Sequence, residues 1–293
     1  MKRKGVEILD YFFILRPILF YPIWTFFLAG YWGGGYFVNN TVQFKHPMGA
    51  FWIVSALTLI MGGVFILNQI QDVETDRVNG KLFIVAQGII SRRCAIWEVA
   101  ALIIIGLSMG FWVDLQVGIG FLILLILSGW LYNFPPVKWK NHPIMGIVVN
   151  GMGGVLIYWL GWITGGGGAT IQWRVVVYAM AGMAVFLCTT LPDIEGDKKT
   201  GKITFGVKYG IATTAVFAFF LEAGAVVLSF ICEDWLLFVP AVLVFPLFVI
   251  GVFKRTISNM IRATKFSVLA LTAALCVVFP WFLLPIFIVF FLS

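Results

Sequence analysis

Charge is what this 293-residue chain has least of. Asp, Glu, Lys and Arg make up only 11% of it, less than half of the roughly 25% usual in soluble proteins. Acids are scarcest, 13 against 20 Lys and Arg, and there are two histidines and four cysteines. Such a composition excludes a soluble globular enzyme and a disordered chain. It also excludes a conventional nucleic-acid binder, despite a net charge of +7. Cys94, Cys188, Cys232 and Cys276 lack the paired spacing of a metal site and read as small apolar packing residues. His46 and His142 fall on opposite expected faces, which argues against shared histidine chemistry.

The bulk of the chain is apolar: 61%, or about 179 residues, enough for roughly nine membrane spans of ~20 residues each. Runs are expected at Tyr11–Gly33, Pro47–Ile70, Ala95–Val113, Val117–Asn133, Ile144–Thr164, Val175–Leu191, Ile211–Cys232, Trp235–Phe253 and Phe266–Leu292. They are continuous and do not alternate, so they read as helices and not as barrel strands. The expected fold is all-α, a polytopic bundle of nine transmembrane helices. With no linker or composition shift, residues 1–293 read as one membrane-embedded domain. The first run contains Arg16 and lacks a clear small-x-small cleavage site, so it reads as a retained helix. Gly33–Gly35 and Gly165–Gly168 read as turns between spans.

The basic residues follow this threading. Lys2, Arg3, Lys4, Arg77, Lys81, Arg92, Arg93, Lys138 and Lys140 fall on one side. Lys198, Lys199, Lys202, Lys208, Lys254, Arg255, Arg262 and Lys265 join them, making 17 of the 20. Only Lys45 and Arg174 fall on the other side. Positive-inside bias makes the rich side cytoplasmic, along with the N-terminus, and puts the C-terminus opposite. The membrane would be the cell membrane in a prokaryote.

The scarce acids are not scattered. Six of the 13 lie in two ten-residue windows 121 residues apart, Asp72-Val-Glu-Thr-Asp76-Arg-Val-Asn-Gly80-Lys81 and Asp193-Ile-Glu-Gly-Asp197-Lys-Lys-Thr-Gly201-Lys202. Both read D-[VI]-E-x-D-[RK]-x-x-G-K, and both follow an even-numbered span. Side chains four apart share a helix face, so Asn68, Asp72 and Asp76 form one polar stripe and Asp193 and Asp197 a second pair. Pro192 disturbs the turn before that second pair. Two carboxylate clusters brought together repel unless cations lie between them. Hard oxygen ligands in that arrangement suit Mg²⁺ bridging carboxylates to phosphates, and Arg77, Lys81, Lys198 and Lys202 stand ready to neutralise phosphate. An EF-hand does not fit, because the first copy lacks Gly at the sixth position and neither has Glu at the twelfth.

With these residues in hand, the chain resembles the UbiA superfamily of intramembrane prenyltransferases. Asn68, Asp72 and Asp76 match its N-x-x-x-D-x-x-x-D signature, and Asp193 and Asp197 its D-x-x-x-D. Tyr132-Asn-Phe-Pro-Pro-Val-Lys138 is similar to its Y-S-x-P-P-x-R/K segment, and Arg16-Pro17 to a pair common in its first helix. The resemblance covers the whole chain in span number, motif order and spacing. It implies nine helices around a central cavity with the aspartates at its cytoplasmic mouth. The activity implied is transfer of an isoprenyl group from an allylic isoprenyl diphosphate to a lipophilic, usually aromatic, acceptor. Two Mg²⁺ held by Asp72, Asp76, Asp193 and Asp197, with Asn68 completing or orienting the first site, would act as Lewis acids on the departing diphosphate. Arg16, Lys81, Tyr132, Lys138 and Lys202 are the candidates to bind its oxygens. Tyr158, Trp159 and Phe186 are candidate cavity aromatics, able to stabilise a developing cation.

The segment from Arg77 to Cys94 reads as a lid, since it is partly apolar, with Leu82, Phe83, Ile84, Val85, Ile89 and Ile90, and starts at the first motif. The chain departs from the family pattern in two places: Gln69 stands where many members have aspartate, and the first loop lacks an Arg-Pro pair. The Asn68-Gln69 opening and the D-I-E-G-D motif are most similar to homogentisate-type quinone-pathway members. The alternative function is a cation transporter or channel with acids lining an ion path. It calls for acids at mid-membrane depth, where only Glu222 and Glu98 fall.

Overall fold

The structure, a computed structural model, describes residues 7–39, 47–81, 84–168 and 173–292. Lys2–Lys4, Lys45, His46, Leu82 and Phe83, which entered the readings above, lie outside them. Among the described residues, regular structure is entirely helical. A short α1 (Ile8–Phe13) precedes the long helices α2 (Phe20–Asn39), α3 (Pro47–Gln71), α5 (Arg92–Val113), α6 (Leu115–Leu124, continuing as a π-helix over Leu125–Leu131) and α7 (Pro143–Thr164). Then come α8 (Val175–Thr189), α10 (Phe205–Ile231), α11 (Trp235–Lys254) and α12 (Ile257–Val278). Two six-residue helices, α4 (Val73–Val78) and α9 (Ile194–Lys199), carry the acidic motifs, and α13 (Leu283–Leu292) ends the fold. Among the described residues, eight helical segments are long and apolar enough to cross a membrane. The fourth expected span is the shorter α6 with its π-helical extension.

The bundle is tightest where α2 and α7 run side by side. A Cβ on Gly30 would strike the Tyr158 carbonyl, and one on Gly34 that of Trp162. Reciprocally, a Cβ on Gly161 would strike the Phe27 carbonyl, and one on Gly165 that of Tyr31. Every partner lies 131 residues from its symmetry mate, and both stretches read aromatic-x-x-Gly-aromatic-x-x-Gly: Phe27, Gly30, Tyr31 and Gly34 against Tyr158, Gly161, Trp162 and Gly165. The two helices are thus parallel and related by a local two-fold. Apolar side chains gain little by leaving lipid for protein, so spans associate by backbone approach at small residues. The core around this seam is aromatic, with Phe27, Tyr158, Trp162, Tyr178 and Phe279 buried. At the end remote from the acidic motifs, the Tyr178 hydroxyl donates to Asp234 Oδ1 at 3.1 Å, and the Arg174 guanidinium lies 4.0 Å from the Phe37 ring centre.

Four expectations change. Gly33–Gly35 are not a turn; they lie inside α2, on and beside the seam. Arg16 is not inside a helix, because Pro17 disfavours helical geometry in the residue before it. The chain breaks there, with Arg16 at φ 55°, and α2 starts at Phe20. The ninth run, expected at Phe266–Leu292, is a helix that starts at Ile257, stops before Pro280 and then turns back. Phe279 packs on Tyr31 (6.2 Å between ring centres), whereas Ile286 accepts a 2.7 Å hydrogen bond from Tyr21, ten residues nearer the start of α2. Helix α13 therefore descends α2 toward the acidic end, where the sequence reading put the C-terminus on the opposite side. Finally, the described part of the lid segment packs sideways: Val85 and Ile90 join Ile14, Ile66, Ile70, Ala95 and Val99 in one cluster, and Arg77 Nε donates to the Ala86 carbonyl at 2.7 Å.

Gly161→Leu forces α2 and α7 apart and is expected to cost about 3 kcal/mol or more. In detergent it should lower the thermal midpoint by several degrees or abolish the monodisperse protein. Gly146→Ala, whose added Cβ meets only ordinary contact, should leave the midpoint unchanged.

Candidate active site

The two copies of the acidic motif have one local structure. Asp72 precedes α4 and Asp193 precedes α9 as N-terminal flanking residues. The i,i+4 ladder holds across the break before α4, with Asp72 N–H to the Asn68 carbonyl at 2.9 Å and Asp76 N–H to that of Asp72 at 2.8 Å. Each short helix ends at a glycine in the left-handed region, Gly80 at φ 65° and Gly201 at φ 72°, a conformation that L-residues adopt at a cost. The following lysine N–H then returns to the second aspartate's carbonyl: Lys81 to Asp76 at 2.9 Å, Lys202 to Asp197 at 2.8 Å. Helices α4 and α9 touch where the Thr75 and Thr200 hydroxyls meet at 3.2 Å and where Asn79 lies against Gly196.

The lysines cross over. Lys81 Nζ is 3.7 Å from Asp76 of its own motif and 2.7 Å from Asp193 of the other. Lys202 Nζ is 3.5 Å from its own Asp197 and 3.7 Å from Asp72 of the other. A third cation, Lys140, was missed by the sequence reading, which chose Lys138. Lys140 is buried, with Nζ 2.7 Å from Asp72 Oδ1 and donating at 3.1 Å to both Asn68 and Asn133. All three ammonium hydrogens thus have oxygen acceptors. Asn133 in turn donates to the Ser128 and Gly129 carbonyls at 3.0 and 3.1 Å, both inside the π-helical stretch. Burial pushes the Lys140 ammonium down to about 8, with Asp72 opposing, and pushes the Asp76 carboxyl up to about 6, with Lys81 opposing.

These groups line one end of a cavity of about 510 Å³. Of the sequence candidates, Arg16, Asn68, Asp72, Asp76, Lys81, Tyr132, Asp193, Asp197 and Lys202 all line it; Lys138 does not. Lys140, Asn133 and His142 line it in addition. The run Asn133-Phe-Pro-Pro-Val-Lys138-Trp-Lys140 was no guide to Lys140, because only the left-handed turn at Lys138 (φ 40°) and the short helix over Trp139–Asn141 swing it inward. Gln69, where many family members have aspartate, donates at 2.6 Å to the Ile14 carbonyl and so fixes the turn that presents Arg16. Of the candidate aromatics, Phe186 lines the cavity, whereas Tyr158 is buried in the seam and Trp159 lies off the cavity.

Four carboxylates face three lysines and Arg16, so the mouth is close to neutral by itself. Among the described residues, no three Asp, Glu, His or Cys side chains converge tightly enough to cage a metal. The donor set still fits Mg²⁺, which retains waters and takes one or two carboxylates together with substrate phosphates in place of an all-protein cage. Asp197 Oδ1 is buried without a hydrogen bond, its ion-pair partner Lys202 Nζ standing off at 3.5 Å, and such an ion could take that oxygen.

Residues 23–259 match the UbiA prenyltransferase family, and the chain belongs to that family. It is similar to a homogentisate phytyltransferase from Synechocystis sp., 30% identical over 193 residues, covering 60% of this chain and 59% of the relative. It is also similar to a digeranylgeranylglyceryl phosphate synthase from Thermococcus gammatolerans, 26% identical over 194 residues, 63% of this chain and 66% of that one. The chain spans about half the length of several plant relatives, among them a probable homogentisate phytyltransferase 2 from rice (52%). Its fold matches a UbiA homologue from Archaeoglobus fulgidus bound to GPP and Mg²⁺, with a TM-score of 0.67, 20% identity, and coverage of 92% of this chain and 99% of that one. It also matches the apo UbiA homologue of Aeropyrum pernix K1, with a TM-score of 0.68, 16% identity and coverage of 87% and 96%.

Lys140→Met leaves Asp72 beside two amide oxygens with only the more distant Lys202 to balance it, and is expected to cost about 3 kcal/mol in stability. Adding Asp72→Asn should recover part of that loss. A double-mutant cycle read by thermal or denaturant unfolding in detergent should give a coupling above about 1 kcal/mol.

Proposed function

We propose that this protein is an integral-membrane, Mg²⁺-dependent prenyltransferase that moves an isoprenyl group from its allylic diphosphate to an aromatic or otherwise lipophilic acceptor. The observation that carries this reading is the pairing of four aspartates with three lysines at one end of an otherwise largely apolar cavity. Diphosphate entering a neutral mouth brings several negative charges, and only added cations can balance them.

In this reading Asp72, Asp76, Asp193, Asp197 and Asn68 hold the Mg²⁺. When bound, the ion supplies Lewis-acid stabilisation of the leaving diphosphate. Lys81, Lys140 and Lys202, now paired with carboxylates, would turn their N–H groups to diphosphate oxygens once the aspartates hold the ion. Arg16 and Tyr132 complete that shell, and Lys138, off the cavity, is left an orienting charge at the membrane surface. The apolar walls receive the hydrocarbon tail and exclude water from the reacting carbon. The A. fulgidus homologue was solved with GPP and Mg²⁺ and also with DMAPP and Mg²⁺, which supports the ligand class. The mouth faces the cytoplasm if the basic face is the inner one. A homogentisate-like acceptor, and hence a place in quinone synthesis, is supported by the Synechocystis relative. The transporter reading is not favoured, since both motif helices lie at the cavity mouth and not midway along the spans.

The test is incubation of the purified protein with allylic diphosphates of several chain lengths and a panel of aromatic and lipid-alcohol acceptors, with and without Mg²⁺. Turnover should require Mg²⁺, and Asp72→Ala and Asp193→Ala should each lower it at least about 100-fold. Metal-independent turnover, or full activity in both variants, overturns the proposal.

A further inference from the structure

The cavity has a second polar group, far from the mouth and unused by the chemistry above. Glu222 lies midway along α10 and lines the cavity, yet it is only 2% exposed, and its Oε2 is enclosed without a hydrogen-bond partner. Its surroundings offer little. Ala181, Gly182 and Val185 of α8 and Ala241 and Val244 of α11, the helices packed against α10, also line the cavity; the Ser267 hydroxyl already donates to the Ala263 carbonyl at 2.8 Å, and the Cys188 thiol of α8, near Glu222, is already hydrogen-bonded with Thr264. A carboxyl group buried without a partner costs several kcal/mol in an apolar setting. A bound molecule with a hydrogen-bond donor removes that cost.

The lining from α2, α3 and α6 has another character. Ile23, Met61, Val64, Phe65 and Leu124 present hydrocarbon there. An isoprenyl tail has no donor to offer Glu222, and it fits this second wall without leaving any polar group unpaired. The acceptor is the substrate able to carry a hydroxyl.

Depth agrees with that division. Gly224 packs on Met180 of α8, which puts Glu222 near the level of Gly182. Thr189 and Thr190 flank Asp193 at the mouth, and the seven or eight residues between amount to about 11 Å of helix. That interval accommodates one aromatic ring, with its reacting carbon toward the mouth and its far hydroxyl toward Glu222.

We propose that Glu222 binds the acceptor, hydrogen-bonding a phenolic or alcoholic hydroxyl, and that it reserves the α8–α10–α11 wall for the acceptor while the tail takes the α2–α3–α6 wall. The proposal rests on the prenyl-transfer reading. It adds that the acceptor bears a hydroxyl remote from the carbon that is alkylated.

The experiment uses the full chain in detergent or nanodiscs, with 4-hexylphenol and its methyl ether as probes and a poorly reactive thiolo analogue of geranyl diphosphate with Mg²⁺. Affinities for the phenol and the ether are measured with and without the analogue. The wild type should bind the phenol at least tenfold more tightly than the ether. Glu222→Leu should bring the two within about twofold and leave the affinity for the analogue unchanged, which also shows that the variant is folded. Glu222→Met serves if the leucine variant does not fold. No phenol preference in the wild type, a preference that persists in the variant, or equal weakening of phenol, ether and analogue overturns the assignment. Failure of the wild type to bind the analogue with Mg²⁺ instead overturns the prenyl-transfer reading, and the phenol-to-ether ratio remains readable without it.

Discussion

Everything else in this molecule depends on two helix backbones lying in contact. In lipid no hydrophobic force drives helices together, so their distance is set by what stands between them. Along α2 and α7 nothing does, because Gly30, Gly34, Gly161 and Gly165 each face a carbonyl of the partner helix. The approach fixes two symmetry-related helices at the centre of the bundle. The motif-bearing segments then close from either side, so that α4 and α9 meet at Thr75, Thr200 and Gly196. A wider seam would leave the two acidic motifs on separate walls.

At the mouth the governing quantity is charge. Four carboxylates in a half-buried pocket repel one another, and the fold answers with Lys81, Lys140 and Lys202 placed between them. The cost of burying Lys140 is met by three oxygen acceptors, one of them held in place by the carbonyls of the π-helical stretch. The irregular end of α6 and the one deeply buried lysine of the mouth are thus parts of a single arrangement.

How much of this was legible in the sequence follows from what kind of signal each feature leaves. Span number and the acidic repeat were readable because both are patterns along the chain: long apolar runs, and the same spacing twice. Asn68, Asp72, Asp76, Asp193, Asp197, Lys81 and Lys202, singled out by that spacing, all line the cavity that the family resemblance implied. Lys140 was not readable, since its direction is set by a left-handed residue and a one-turn helix, which leave no periodic trace. The glycine seam was hidden for another reason. Gly33–Gly35 look like a loop by composition, and only the partner helix explains them. The return of α13 along α2 and the break at Arg16 each sit at a proline, but a proline signals an interruption without saying where the chain goes next.

The crossed lysines carry a consequence for how the chain can be divided. Its sequence repeats, and its helices pair as though two like pieces had been joined. Yet Lys81 neutralises Asp193, and Lys202 reaches Asp72, so each piece owes its electrical balance to the other. Cut between the repeats, either piece would keep its aspartates and lose part of their compensation, and neither would hold a complete site. The two repeats are alike in form but form a single electrostatic unit.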